Sequence, residues 1–564
     1  MALIKSWPEW TSAIHILQHP DAAGGLRDGD HQPALHERKP NLFYGFQNHQ
    51  VGVVQCGYRD GLAYWTAFPW IEMNSPDIEE ATTFREEINH SAIGRPPGLV
   101  IPMFAIRDAN PLPSIHCDDI DCRFNARVLV SYRFKYNPAT IGRKPTLPEI
   151  EPWVRNDLTN EFYDALSRDF KTALSEKVFE VAATLGTIGV TKGLLKSWMQ
   201  PIEAPVPKFL AESGHKAIVY REPYGVTLIM GPFNGPLLCL LRPAITALAA
   251  GNTCILKVSD APNTGRLLMK LAPKYFASEV LVAITGGPTE VAELLRLPFD
   301  FIYFTGSARV AKIVLRAAAE NITPVLLELG GQNPAIVDQT ANVPDAAKKI
   351  VWGATAWSGQ WCTSPGYAYV HEKVADEFVA ECRKAVIELY GENPKENPDY
   401  SRIINAREVR RLARMLDKEK VIMGGDYDEA ERYFEPTILY PVDWTDQVMQ
   451  GEIFGPILPV LRYSSLHEAI TQIKRRPGPL AGYIFSRDQS SIDEFVSDFS
   501  FGGGAVNQTN VHACLDSIPF GGVGESGIGS ANGKYGYDSM THAKSSIDHV
   551  YPPYTMDKIQ ALNQ

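Results

Sequence analysis

The feature that most constrains the fold is a regular alternation of short apolar runs and helical patterns along residues 225–329. The apolar runs are too short for helices and favour buried strands; they lie at 225–231, 253–257, 280–285, 301–304 and 324–329. Helical patterns separate them, one ending at Gly251 and one starting after Ser307, residue types typical of a helix end and a helix start. This alternation predicts a mostly parallel sheet covered on both faces, and such sheets bind ligands at the carboxyl ends of their strands.

A second alternation of the same kind follows the first. Strands are predicted at 334–337, 367–371 and 457–461, with helices from about 344 and over 373–389. The fold class is therefore α/β, with two doubly wound, mostly parallel sheets. Two extended pieces within 201–222 predict a protruding β-hairpin arm. Residues 1–150 contain strand-like runs at 99–106 and 127–136 but no pattern that joins them.

Composition argues against several classes of protein. Lys and Arg number 54 against 65 Asp and Glu, so nucleic acids and anionic membranes are not expected partners. The eight cysteines are sparse and unpatterned, as in proteins of a reducing compartment. We find no signal-peptide pattern and no run approaching the roughly 20 apolar residues of a membrane span, and expect a soluble, cytoplasmic protein. The segment from His116 to Cys122 offers too few ligands at suitable spacing, so we expect no metal site.

One cysteine lies in a loop suited to nucleophilic chemistry. In Ser358-Gly-Gln-Trp-Cys362-Thr-Ser-Pro365 the glycine and proline predict a tight loop that can present a thiol at a cleft. Upstream, Glu328 ends an apolar run at a Gly-Gly turn. A thiol and an acid on a glycine hinge suggest covalent catalysis with a separate base for a water step. Each residue also has an ordinary structural interpretation: a buried, inert thiol, and a carboxylate that caps the Gly330-Gly331 turn.

Seven short motifs occur in one order between residues of about 155 and 555. They are Gly231-Pro-Phe-Asn234, Lys257-Val-Ser-Asp260, Phe304-Thr-Gly-Ser307, Glu328-Leu-Gly-Gly331, Gly359-Gln-Trp-Cys362, Glu452-Ile-Phe-Gly-Pro456 and Pro519-Phe-Gly-Gly522. Together they resemble the aldehyde dehydrogenase superfamily. Lys534-Tyr535 and Tyr551-Pro-Pro-Tyr-Thr are most similar to its class 3, dimeric members. The resemblance implies an extension of unclear fold at 1–150, an NAD(P)-binding domain at 151–330 with the arm at 201–222, a catalytic domain at 331–508, and a return to the cofactor domain and dimer interface at 509–564.

The resemblance also implies a role for each motif residue. Cys362 would attack an aldehyde to give a thiohemiacetal and then a thioester, and Glu328 would activate the water that hydrolyses it. The Asn234 amide and the Cys362 N–H would stabilise the tetrahedral oxygen. The cofactor would be held by a second set of residues: Lys257 and Asp260 at the adenosine ribose, Thr305, Gly306 and Ser307 at the pyrophosphate, and Glu452 with Phe454 at the nicotinamide ribose. Taken alone, Asn234 is typical of a turn, Lys257 of a solvated strand end and Glu452 of a surface acid.

The implied reaction is oxidation of an aldehyde to a carboxylate with NAD, possibly NADP, by a homodimer. The family commonly has Glu at the position of Asp260, Lys at that of Gln332 and often Gly at that of Ala311, and none of these touches the chemical step. Class 3 members also begin with a long helix that has no counterpart in the pattern of residues 1–150. Two alternatives stay open: an acylating relative that passes the thioester to coenzyme A, against which Glu328 argues, and a catalytically silent homologue, against which the intact catalytic residues argue.

Overall fold

A computed structural model describes residues 41–47, 50–59, 62–67, 71–72, 159–258 and 260–549. The chain divides into two units, residues 1–136 and 137–564. In the first unit four antiparallel strands form a sheet in which β2 pairs with the other three: β1 (Asn41–Gln47), β2 (Gln50–Arg59), β3 (Leu62–Ala67) and β4 (Ile71–Glu72). The sequence analysis did not predict these strands. The runs that it did predict there, the segment from His116 to Cys122 and the sequence from Tyr551 onward lie outside the described residues.

The second unit begins with two helices and an arm. These are α1 (Thr159–Asp169), α2 (Leu174–Trp198), β5 (Ile202–Ala204), the short helix α3 (Lys208–Glu212) and β6 (His215–Pro223). The predicted alternation then follows as β7 (Val226–Gly231), α4 (Leu238–Ala249), β8 (Thr253–Val258), α5 (Pro262–Tyr275), β9 (Leu281–Ile284), α6 (Pro288–Leu294), β10 (Phe301–Thr305), α7 (Ala308–Asn321) and β11 (Val325–Glu328). Strands β9, β8, β7, β10 and β11 lie side by side in that order and are parallel, as apolar runs covered by helices should be.

The second sheet has seven strands, in the order β14-β17-β18-β13-β12-β19-β20, and is parallel except for the edge strand β14. Its elements, with the separate β15–β16 pair, are β12 (Asn333–Val337), α8 (Val343–Thr355), β13 (Pro365–His371), α9 (Ala375–Tyr390), α10 (Ala406–Ala413), β14 (Val421–Met423), β15 (Tyr427–Asp428), β16 (Tyr433–Phe434), β17 (Thr437–Leu439), β18 (Ile457–Tyr463), α11 (Leu466–Ile473), β19 (Ala481–Phe485), α12 (Gln489–Asp498) and β20 (Gly503–Val506). Two mostly parallel, doubly wound sheets confirm the predicted α/β fold class.

The carboxyl-terminal elements return to the first sheet and to the arm. They are β21 (Gly527–Ile528), α13 (Gly533–Ser539) and β22 (Thr541–His549). Strand β21 pairs antiparallel with β11, and β22 pairs antiparallel with β6 along its full length. The predicted two-stranded hairpin is thus a three-stranded sheet, β22-β6-β5, with α3 between β5 and β6. The short β5 covers only part of one edge of β6, and the other edge requires the partner that β22 supplies.

Helix α2 departs from the expectation that no segment is long and apolar enough to cross a membrane. Among the described residues it is one helix, of 25 residues, that meets this criterion by length and composition. A core helix of a soluble protein can meet it too, and Val181, Ile188 and Trp198 on α2 pack in the core of the first sheet. The buried side of α2 also carries two glutamates, Glu176 and Glu180.

Candidate active site

The predicted motifs of the first sheet lie where its parallel strands end. Asn234 follows β7, Asp260 follows β8, Ser307 follows β10, and Glu328 is the last residue of β11. Strands β7, β10 and β11 are neighbours, so the residues that follow them share one edge of the sheet. This is the edge at which open α/β sheets bind ligands.

The second sheet contributes residues from the other end of its strands, where the strands begin. Cys362 immediately precedes β13, and the Glu452 motif precedes the neighbouring strand β18. The two edges face each other: the Gly331 N–H donates to Glu452 Oε1 at 3.1 Å, and the rings of Phe233 and Phe454 meet edge to face at 5.7 Å. The structure therefore brings together motifs that are more than 200 residues apart in sequence.

The nucleophile loop, residues 356–365, has an unusual backbone. Trp357 and Ser358 both adopt left-handed conformations, with φ of 58° and 50°. Gly359, with φ of 69°, packs so closely on Gly455 that a Cβ there would overlap the Gly455 carbonyl. Conformations of this kind persist only where the surroundings hold them.

One buried side chain holds the end of this loop. The Asn333 amide donates to the carbonyl oxygens of Cys362 at 2.9 Å and Ser364 at 2.8 Å, and its oxygen accepts from the Ala481 N–H at 2.8 Å. Asn333 is the first residue of β12, beside β19, so it ties the loop to the second sheet. No role was predicted for Asn333 from the sequence.

Cys362 lies beside an aromatic cluster and close to two carboxyl groups and a second thiol. It contacts the cluster formed by Leu238, Trp357 and Trp361, whose two indole rings stack at 4.6 Å. Burial raises the pKa of the Cys362 thiol well above its usual value. The neighbouring Cys239, Glu452 and Glu328 raise it further. The resting thiol is therefore protonated at neutral pH and must lose its proton before it can attack.

Glu328 is buried and makes no hydrogen bond through its carboxyl group to any described residue. Burial raises the pKa of this carboxyl well above 4.5. The alternative role, capping the Gly330-Gly331 turn, does not hold, because the Gly331 N–H donates to Glu452 instead. A desolvated, unpaired carboxyl in a cleft is typical of a group used as a base.

Asn234 is also buried, with 3% of its surface exposed. It lies in the loop between β7 and α4, directly after Phe233, which contacts Phe454. Its amide is thus on the same edge of the first sheet as Glu328.

The cofactor side offers groups that fit a dinucleotide. Lys257 is buried near the end of β8. Burial lowers the pKa of its ammonium group, while the charges of Asp260 and Glu290 oppose this shift. Asp260 is exposed, with φ of 49°. An ammonium beside carboxylates suits ribose hydroxyl groups.

The helix start after β10 suits the pyrophosphate of such a cofactor. Ser307 caps α7, its hydroxyl accepting from the Val310 N–H. The first turn of a helix favours an anion. The Gly306 N–H, however, donates to the Glu328 carbonyl at 3.0 Å and is not free for a ligand. Gly306 has instead a steric role, because a Cβ there would lie 2.6 Å from the Phe304 ring. Thr305 is the last residue of β10.

Glu452 completes this side, and it is not the surface acid that its sequence alone suggests. Burial raises the pKa of its carboxyl to about 7, while the hydrogen bond from Gly331 and the charge of Arg411 oppose the shift. A Cβ at Gly330 would overlap its carboxylate, so only glycine fits beside it. Phe454, with φ of 48°, lies two residues on.

Comparison with known proteins decides the family. The family model described as "Aldehyde dehydrogenase family" matches residues 147–546. The chain belongs to the aldehyde dehydrogenase family. It is 41% identical over 409 residues to the 4,4'-diaponeurosporen-aldehyde dehydrogenase of Staphylococcus aureus (strain NCTC 8325 / PS 47), covering 72% of this chain and 88% of that protein. It is 39% identical over 402 residues to aldehyde dehydrogenase family 3 member B1 of Homo sapiens, covering 71% of this chain and 85% of that protein.

Solved structures agree. Staphylococcus aureus AldH in a substrate-bound state aligns with a TM-score of 0.72 and 38% identity, over 78% of this chain and 98% of that chain. A glyceraldehyde-3-phosphate dehydrogenase, GapN, of Methanocaldococcus jannaschii DSM 2661, complexed with NADP, aligns with a TM-score of 0.66 and 25% identity, over 76% and 95%. The predicted resemblance to class 3 aldehyde dehydrogenases is confirmed. This aldehyde dehydrogenase is an oxidoreductase that oxidises aldehydes and uses a nicotinamide cofactor.

Proposed function

We propose that this enzyme oxidises an aldehyde to a carboxylate without coenzyme A. Cys362 is its nucleophile, Glu328 its base, and Asn234 a hydrogen-bond donor to the substrate oxygen. The observation that supports this most strongly is the buried, unpaired carboxyl of Glu328 at the junction where Cys362 lies. An acylating enzyme that passes its thioester to a thiol has no need of such a base for water.

The chemistry of these residues follows from their places. The Cys362 sulfur, once deprotonated, adds to the carbonyl carbon and forms a C–S bond. Negative charge then develops on the former carbonyl oxygen, where the Asn234 amide and the Cys362 N–H donate to it, each worth on the order of 10²–10³ in rate. A nicotinamide cofactor, when bound, would accept the hydride, a hydrogen with the electron pair of the C–H bond, that leaves the substrate carbon.

Hydrolysis of the Cys362 thioester is the task of Glu328. The carboxylate takes a proton from water as the water oxygen attacks the thioester carbon. The C–S bond breaks, the sulfur regains a proton, and the carboxylate product forms. General-base assistance of this kind contributes about 10²–10⁴ in rate.

For the cofactor we propose a preference for NAD with measurable use of NADP. A carboxylate that accepts from both ribose hydroxyl groups favours NAD, because a 2′-phosphate would bring like charges together. Asp260 is one methylene shorter than Glu, which leaves room for a phosphate, and Lys257 is close enough to Asp260 for their charges to interact. The repulsion is therefore weakened rather than abolished.

For assembly we propose a cytoplasmic homodimer joined through the three-stranded arm. Ile547 on β22 and Ile202 on β5 are exposed in the single chain, at 64% and 47%. Exposed apolar side chains on a small, outlying sheet favour burial against a second copy.

The test uses hexanal as the probe aldehyde with NAD and no coenzyme A. Cys362→Ser should lose nearly all turnover, since a hydroxyl is far less ionised than a thiol of pKa about 8.5. Glu328→Gln should release one equivalent of reduced cofactor per site in a burst and then stall. Steady turnover by Glu328→Gln near the native rate would exclude Glu328 as the base.

A further inference from the structure

Three charged side chains lie buried beneath the active site. Lys171, in the loop between α1 and α2, and Glu180 on α2 are fully buried, and Glu176 is 7% exposed. The Lys171 Nζ lies 3.4 Å from Glu180 Oε1 and 3.8 Å from Glu176 Oε2. We call these residues the buried charge cluster. Burying three charges is costly, and a hydrophobic replacement is often as stable, so stability is a weak reason for the cluster.

The first glutamate of the cluster holds the nucleophile loop. Glu176 Oε1 accepts from the Trp357 N–H at 2.8 Å, and its Oε2 accepts from the Ser401 hydroxyl at 2.7 Å. The Ser401 carbonyl in turn accepts from the Ser358 hydroxyl at 2.6 Å. Trp357 and Ser358 are the two left-handed residues of the loop that are not glycine, and such conformations persist only where the surroundings hold them. Glu176 therefore holds the loop where its backbone is most strained.

The second glutamate holds the other side of the site. Glu180 Oε2 accepts from the N–H groups of both Leu237 and Leu238 at 3.0 Å. These are the residues at which α4 starts, in the loop that carries Asn234. A carboxylate that accepts two N–H groups at a helix start forms strong, directional contacts.

Lys171 links the two glutamates. Glu176 and Glu180 are four residues apart on α2, so their side chains share one face of the helix. The Lys171 Nζ lies near both carboxylates and 3.3 Å from the centroid of the Trp357 ring. The nucleophile loop and the Asn234 loop are thus braced against the same ammonium group.

We propose that Lys171, Glu176 and Glu180 are positioning residues that fix the separation between the Cys362 thiol and the Asn234 amide. The inference rests on the proposed roles of those two residues. It goes beyond them in assigning a part in catalysis to a cluster that touches neither substrate nor cofactor. Because a displacement of about 1 Å can cost on the order of 10² in rate, loosening the cluster should slow the first chemical step.

The experiment removes the ammonium of the cluster, alone and together with one carboxyl group. Lys171→Met leaves two neighbouring carboxyl groups without the ammonium, whereas Lys171→Met/Glu180→Gln removes one basic and one acidic group together. The matched control is Lys384→Met on α9, which removes the lysine of an i,i+3 pair with Glu381 at the surface. Each protein, in excess, is mixed with NAD and limiting hexanal, so that the burst of reduced cofactor reports the first chemical step as a rate constant and an amplitude. NAD affinity is measured separately by fluorescence titration.

The single variant should show a burst rate constant at least ten-fold below the native value, with near-native amplitude and NAD affinity. The double variant still lacks the ammonium that braces both loops, so its rate constant should also stay at least ten-fold below native. Full recovery in the double variant would mean that an uncompensated charge alone slowed the single variant, and would overturn the proposal. Lys384→Met should stay within twofold of native. Lower amplitude with an unchanged rate constant would mean that the cluster only maintains the fold, and would overturn the proposal. So would a native rate constant in Lys171→Met. If Lys171→Met fails to fold, the volume-conserving Glu180→Gln is judged by the same two quantities. A failure of the proposed function is distinct, because the native protein would then reduce no cofactor with hexanal, or Cys362→Ser would retain that activity.

Discussion

At Gly359 a single added methyl group, as in Gly359→Ala, should disrupt the site. This glycine has φ of 69°, and an added Cβ would overlap the carbonyl of Gly455 and lie 2.7 Å from the Pro456 nitrogen. All of these are main-chain atoms in the loop that also carries Glu452. We expect Gly359→Ala to push the nucleophile loop and the Glu452 loop apart.

The expected loss in the free energy of unfolding has two parts. A left-handed backbone costs an L-residue other than glycine about 1–2 kcal/mol. Overpacking adds about 1–3 kcal/mol, because carbon contacts relax to roughly 3.5 Å and the backbone must move by roughly 1 Å. The free energy of unfolding should therefore fall by about 2–5 kcal/mol. A shift of that size at the nucleophile should also lower kcat on the order of 10².

The matched control is Gly524→Ala. Gly524 has nearly the same φ, 64°, but no atom lies within 4 Å of a Cβ added there. It should show the conformational cost alone, about 1–2 kcal/mol, with kcat close to native. The assays are urea unfolding and steady-state oxidation of hexanal with NAD. Equal losses of stability and of kcat in the two variants would refute the steric argument for Gly359.

Three of the other predictions concern single side chains and one the assembly. Asn333→Ala removes three hydrogen bonds, so the free energy of unfolding in urea should fall by about 3 kcal/mol and the burst should slow. Native values would show that Asn333 does not hold the nucleophile loop. Burial raises the pKa of Glu328, and only its ionised form is a base. Thioester hydrolysis should therefore speed up as pH rises through that raised pKa, and a flat native profile would contradict this. Asp260→Glu should raise the ratio of kcat/KM for NAD to that for NADP, and an unchanged ratio would remove Asp260 from the cofactor site. Light scattering at micromolar concentration should give a dimer, and a monomer would disprove the arm interface.

Much of the fold was predictable because its signals are local. The strands of the first sheet are short apolar runs separated by residues that end or start helices, and Ser307 does cap α7 as predicted. The arm was predicted only in part, because its third strand comes from far along the chain: Lys544 on β22 pairs with Glu222 on β6, 322 residues away. No local pattern encodes such a pairing.

The candidate site was likewise predictable only in part. Residues that belong to compact motifs, such as Cys362 and Glu328, were predicted and lie at the junction of the two sheets. Asn333 and Glu176 were not assigned a role, since their partners are main-chain groups of distant loops and no side-chain spacing marks such contacts. For Glu176 the one available signal was an acid repeated after four positions in an apolar helical pattern. Gly306 was predicted at the pyrophosphate, but its N–H donates to the Glu328 carbonyl, which belongs to another motif. A motif taken by itself does not reveal that its N–H group already has an acceptor elsewhere.

The return of the carboxyl-terminal strands sets an order for biosynthesis. Strands β7 to β11 emerge from the ribosome before the second sheet. Strand β21, which covers the edge strand β11, and β22, which completes the arm, are made only after that whole second sheet. A nascent chain that ends before residue 527 carries two unpaired strand edges, at β11 and β6, and such edges are prone to pair with other chains. Of the two doubly wound domains, the one that is made first is therefore the last to be completed.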